Sequence, residues 1–74
     1  MGLPQLYHAD NLLYLRKCLG KTQSQLADAT GLSRCLISNI ELERSLPDVY
    51  DLVVLCKYFN VSVDDFLNKK IKTY

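Results

Sequence analysis

Apolar positions along this chain recur mostly at helical spacing. Leu12, Leu15 and Leu19 share one face of a segment from Asp10 to Leu19, with Arg16 at the edge of that face. Gly20 follows and stops the helix. Thr22 is a good N-cap for a second helix, Gln23 to about Thr30, that turns Leu26, Ala27 and Thr30 inward. Gly31 stands where a left-handed cap is needed, a conformation glycine adopts without Cβ strain. Ser33 then caps a third helix, Arg34 to about Leu42, whose Leu36, Ile37 and Ile40 fall within one arc at 100° per residue.

The connector "RSLPD" breaks the pattern, because Pro47 disfavours helix at Leu46. Asp48 caps a fourth helix, Val49 to Phe59, with a core stripe of Leu52, Leu55, Cys56 and Phe59. Asn60 ends it. Ser62 and Asp65 resemble a capping box for a short fifth helix that buries Val63, Phe66 and Leu67. Strand-length alternation and internal repeats are absent from the sequence. The prediction is an all-α fold, five short helices around one core. It forms a single domain over 1–74, with its core at 10–67 and a flexible N-terminal segment 1–9. A basic tail, 68–74, follows and is expected to fray.

Composition narrows the functions. A chain of 74 residues allows one domain. Hydrophobic content of 49% and charged content of 23% are ordinary for a globular protein. No apolar run approaches the roughly 18 residues of a membrane span. "MGLPQLYHAD" has neither the charged start nor the apolar run of a signal peptide, so the cytoplasm is expected. Three widely spaced cysteines and a single histidine fit neither a disulfide framework nor a structural metal site. Leu6 stands where a myristoylation signal wants Ser or Thr. Nucleophile–base pair, metal cluster and phosphate loop are all lacking, so no enzyme and no cofactor are expected. Net charge is only +1, so any nucleic-acid reading must rest on where charges sit.

They sit informatively in "TQSQLADATGLSRCLISNIE", residues 22–41. Two helices joined by a tight glycine-containing turn form a helix-turn-helix. The outer face of the second carries Arg34, Cys35, Ser38, Asn39 and Leu42. Arg suits the paired acceptors of guanine, Asn the donor and acceptor of adenine, and Cys an apolar contact such as a thymine methyl. Thr22, Gln23 and Ser24 occupy a helix start, where free backbone N–H groups attract phosphate. Ser33, at the next helix start, joins them as a phosphate candidate.

At Gln23, Ala27, Gly31, Ile37 and Ile40 the sequence resembles the Cro and lambda-repressor-like family of DNA-binding domains. The likeness continues through Glu41, Pro47, "DLVVLCKYF" and "NVSVDDFL", covering roughly residues 10–67. The resemblance implies a five-helix DNA-binding domain with its helix-turn-helix at helices 2 and 3. It implies that Gln23 bonds a phosphate and braces the recognition helix. Arg34 and Cys35 would be the first recognition positions, and Ser38 and Asn39 the later ones. Arg44 and Ser45 would lie in a loop that touches the DNA backbone. Arg16 and Glu41 would form a partly buried ion pair. Two departures stand out. Glu43 takes a place where relatives often have Gly, and Leu42 one where they often have a basic or amide residue.

The fourth helix has a second apolar stripe. Tyr50, Val54 and Tyr58 recur every four residues nearly opposite the core stripe, with Val53 at its edge, and Leu67, Ile71 and Tyr74 could extend it. A contiguous apolar line suggests a partner surface, here a homodimer, the alternative being that the N-terminal "LPQLY" folds over it. The expected function is a sequence-specific transcriptional regulator, a repressor that binds double-stranded DNA. The alternative is a protein-interaction module of the same fold, an antitoxin or an antagonist of a regulator.

Overall fold

The computed structural model describes residues 5–71. Five helices follow one another: α1 (His8–Cys18), α2 (Gln23–Thr30), α3 (Arg34–Glu41), α4 (Val49–Phe59) and α5 (Val63–Asn68). Strands are absent among the described residues.

Four of the five helices begin on a side-chain cap. The Thr22 hydroxyl accepts from the Gln25 N–H while the Gln25 amide oxygen accepts from the Thr22 N–H, a complete capping box. Ser33, Asp48 and Ser62 each accept the N–H three residues on. No bond returns from the Asp65 side chain to Ser62, so the fifth helix has only half of its box.

Three helices end in one motif, in which the N–H of a left-handed residue and the N–H of the residue after it satisfy the last carbonyls. After α1 the residue is Gly20, at φ +66°, with Gly20 N–H bonded to Lys17 and Lys21 N–H to Arg16. After α4 it is Asn60, at φ +58°, with bonds to Lys57 and Cys56. After α3 it is Glu43, also at φ +58°, with Glu43 N–H bonded to Ile40 and Arg44 N–H to Asn39. Gly31, at φ +77°, closes α2 on the carbonyl of Ala27.

The core gathers Leu12, Leu26, Ala27, Ile37, Ile40, Leu55, Cys56 and Phe66, with Leu32 from the turn between α2 and α3. The sequence pattern did not point to Leu32, because a turn residue belongs to neither helical stripe. Burial pushes the Cys56 thiol pKa up, as expected of a cysteine packed as a small hydrophobe.

Several expectations change. The first helix starts at His8, not Asp10, and His8 and Ala9 are buried, so residues 8 and 9 belong to the core rather than to a flexible segment. The Tyr7 N–H donates to the Leu67 carbonyl at 2.8 Å. Leu19 is 53% exposed, because it has already left α1 for the closing turn and the helical register no longer applies to it. Val63 is also exposed, at the first position of α5.

Val54, Tyr58 and Leu67 are half-buried and pack against the core, so the second stripe of α4 is only partly a free face. Tyr58 meets the Phe59 ring edge-on, with centroids 5.1 Å apart. Residues 1–4 and 72–74, Tyr74 among them, lie outside the described residues. Ile71 does not: it is half-buried, and its N–H is held by Asn11 at 2.9 Å.

Asn11 explains much of this closure. Its side chain is fully buried. Its amide donates to the carbonyls of Phe66 at 2.7 Å and Lys69 at 2.6 Å, and its oxygen accepts from Ile71. One α1 side chain thus satisfies backbone groups at the end of α5 that would otherwise be left unpaired.

Candidate nucleic-acid interface

The site is built around α3. Ile37 and Ile40 are fully buried and set the roll of the helix against α1 and α2. At 100° per residue, Cys35, Ser38, Asn39 and Leu42 then fall on the opposite side, with Arg34 beside them. Arg34, Cys35 and Leu42 are exposed; Ser38 and Asn39 are half-buried.

A polar clamp holds the helix from behind. The Arg16 Nε donates to Glu41 Oε2 at 2.7 Å and its Nη2 to Oε1 at 2.9 Å, a two-pronged ion pair. The remaining nitrogen, Nη1, donates to the Lys21 carbonyl at 2.8 Å. Gln23 Nε2 donates to Glu41 Oε1 at 3.0 Å. The Arg16 and Glu41 side chains retain only 11% and 5% of their exposure, so the pair is largely out of water. The bond to Glu41 pushes the Arg16 pKa above its already high ordinary value, outweighing the opposing effect of burial. α1, the turn after it, the start of α2 and the end of α3 are thereby tied at one carboxylate.

The other candidates lie at the starts of α2 and α3 and just past the end of α3. Thr22 and Ser33 spend their oxygens accepting backbone N–H groups, and each hydroxyl keeps its own hydrogen to give. Gln23 uses one amide hydrogen on Glu41 and keeps the second. Ser24 is exposed on α2, and Arg44 and Ser45 are exposed just past α3. Arg34, at the first position of α3, stands at the positive end of a helix dipole and has no ion-pair partner among the described residues. A cation there is unfavourable unless an anion joins it. Asn39 Nδ2 lies 3.6 Å from Cys35 Sγ, one helical turn back, within the longer reach of a sulfur acceptor.

Sequence reasoning did not single out the left-handed backbone at Glu43. The signal was present, since Glu43 stands where relatives often have Gly.

Tyr50 is 70% exposed and Val53 lies at the edge of exposure, whereas Val54, Tyr58 and Leu67 share their surface with the core. Leu42, Leu46 and Val49 are exposed as well, so the free apolar surface runs from the end of α3 into the first turns of α4. No helix among the described residues is long and apolar enough to cross a membrane.

Comparison with known proteins agrees with this architecture. Residues 12–66 match the helix-turn-helix family model HTH_3, and the chain belongs to that family. A transcriptional regulator from Listeria innocua superposes with a TM-score of 0.79 at 24% identity, over 95% of this chain and 65% of that one. The SOS-response transcriptional repressor LexA from Eubacterium rectale superposes with a TM-score of 0.77 at 24% identity, over 90% of this chain and 72% of that one. This chain therefore spans about two thirds of the Listeria regulator's length. No curated protein matches.

Proposed function

We propose that this protein is a sequence-specific DNA-binding transcriptional regulator, a repressor that inserts α3 into the major groove as a homodimer. The observation that carries the reading is the pairing of a polar outer face on α3 with a rigid support behind it. Arg34, Cys35, Ser38 and Asn39 would face the bases, and Thr22, Gln23, Ser24, Ser33, Arg44 and Ser45 the phosphates. A base-reading helix must be held in one orientation, since a hydrogen bond to a base edge tolerates little displacement. The Arg16–Glu41–Gln23 clamp supplies that support. Arg34, at a helix start and without an ion-pair partner among the described residues, fits a site completed by phosphate or guanine.

Two recognition helices about one DNA turn apart, ~34 Å, need a symmetric dimer. The exposed run of Leu46, Val49, Tyr50 and Val53 supports such an interface. Occupying the site would repress, and the work would be done in the cytoplasm.

A second reading, an interaction module such as an antitoxin or an antagonist of a regulator, is favoured by the net charge of +1 and by Glu43 beside the reading face. Gel retardation on random duplex DNA at two salt concentrations separates the two. A DNA reader binds with an affinity that falls as salt rises, because phosphate contacts release counterions. Binding that is absent at low salt would leave the interaction module as the better reading. On a duplex selected by the protein from a random pool, Arg34→Ala and Asn39→Ala should each weaken specific binding by about 1–3 kcal/mol with the fold intact. Gln23→Ala should weaken all sequences alike.

A further inference from the structure

We infer that Cys35 is a positioning residue for Asn39: its sulfur takes one amide hydrogen and turns the rest of the amide outward to read adenine. The inference rests on the DNA-reading function proposed above and assigns Cys35 a role different from direct base contact.

The geometry is local. Cys35 and Asn39 are one turn apart on the face of α3 opposite Ile37 and Ile40. Asn39 Nδ2 approaches Cys35 Sγ at 3.6 Å, and no other side-chain partner holds that amide among the described residues. An asparagine amide has two hydrogens to donate and one oxygen to accept. With one hydrogen given to sulfur, what remains is one N–H and one C=O. Those are the two groups that pair with N7 and the N6 amino group of adenine in the major groove.

A free amide would turn about its last side-chain bond, and binding would have to order it. The thiol orders it beforehand. Sulfur is a weak acceptor, so its hold is light, and the expected effect lies toward the lower end of what one hydrogen bond contributes.

The alternative role for Cys35, an apolar contact with a thymine methyl, makes the opposite forecast for two substitutions. Serine keeps an acceptor at the same branch point and loses apolar character. Valine keeps the apolar contact and loses the acceptor. Cys35 is exposed, so neither change touches the core.

The test uses the duplex that the wild-type protein selects from a random pool, with each base pair then changed in turn. Asn39→Ala first identifies the pair that Asn39 reads. Cys35→Ala and Cys35→Val should lower the preference for adenine at that same pair roughly two- to threefold. Cys35→Ser should restore it. In the Asn39→Ala background, Cys35→Ala should change nothing further. Circular dichroism and melting temperature check that each variant folds.

The inference is overturned if valine keeps the preference and serine loses it. It is equally overturned if Cys35→Ala acts at a different pair or leaves the preference unchanged. The same holds if Cys35→Ala weakens every sequence alike, or if Asn39→Ala releases no pair. A wild-type protein that selects no sequence at all overturns the DNA-reading function itself, a result distinct from any of these.

Discussion

Glu41 is where most of the site's polar organisation meets. Its two oxygens take three donors from Arg16 and Gln23, and little of its side chain reaches water. Removing the carboxylate leaves a guanidinium mostly buried without its counter-charge. Such a stranded charge costs several kcal/mol, far more than the net gain of forming the pair. Glu41→Ala should therefore lower stability by about 3 kcal/mol in urea denaturation, and a loss under 1 kcal/mol would show that water or a neighbour replaces the carboxylate.

Glu43 argues in the other direction. It closes α3 with φ at +58°, where a side chain with a Cβ crowds its own backbone. Glycine accepts that conformation freely. Glu43→Gly should stabilise the fold by about 1 kcal/mol, a rise of roughly 4–8 °C in melting temperature for a domain of this size. If DNA is the ligand, the same change should tighten binding to all sequences, since it removes a negative charge from beside the phosphates. A melting temperature that falls would mean the Glu43 side chain makes a compensating contact.

At the scale of the elements, much of the architecture was legible before folding. The caps Thr22, Ser33, Asp48 and Ser62 and the stops Gly20, Gly31 and Asn60 were all readable, because each acts within a few residues of itself. The start of α1 was not. Tyr7 provides no side-chain cap, and His8 and Ala9 show no periodic signal of their own. What ties this end of α1 down is the bond from the Tyr7 N–H to the Leu67 carbonyl, sixty residues on, together with the packing of α1 against α5.

Asn11 is the clearest case. A lone polar residue in a helix reads as solvent-facing, yet here it is fully buried and spans α1, α5 and the chain beyond. Asn11→Ala strands the buried Phe66 carbonyl and the part-buried Lys69 carbonyl and Ile71 N–H; a polar group left unpaired away from water costs roughly 1–3 kcal/mol. It should destabilise the domain by about 2–4 kcal/mol and speed hydrogen exchange at the Ile71 amide. Asn11→Asp should do no better, because a carboxylate has no hydrogen to give to Phe66 and Lys69. Unchanged exchange at Ile71 would mean the 69–71 segment is held by something else.

For the whole molecule, the question is what the free apolar surface meets. An interface on α4 was expected along Tyr50, Val54 and Tyr58. Val54 and Tyr58 instead lean on the core, so a charge at Val54 would test folding and association together. Tyr50, at 70% exposed, separates them. Tyr50→Glu should leave the melting temperature of the monomer within a few degrees. It should also shift sedimentation toward monomer and lower DNA affinity without touching a base-reading residue. Wild-type protein sedimenting as a monomer where it binds DNA as one unit would rule the homodimer out.

The sequence alone determined the helices, their order, most of the core and the outward row on α3, because these depend on periodicity and on caps acting over one or two turns. It also carried the resemblance that paired Arg16 with Glu41. Only the tertiary structure decided that Gln23 shares Glu41 and that Asn11 binds the end of α5. It also decided that half of the second α4 stripe is already occupied. The physical reason is common to all three. Each depends on how side chains or backbone meet once the helices have packed, and spacing along a chain records which face a residue is on, not what that face will touch.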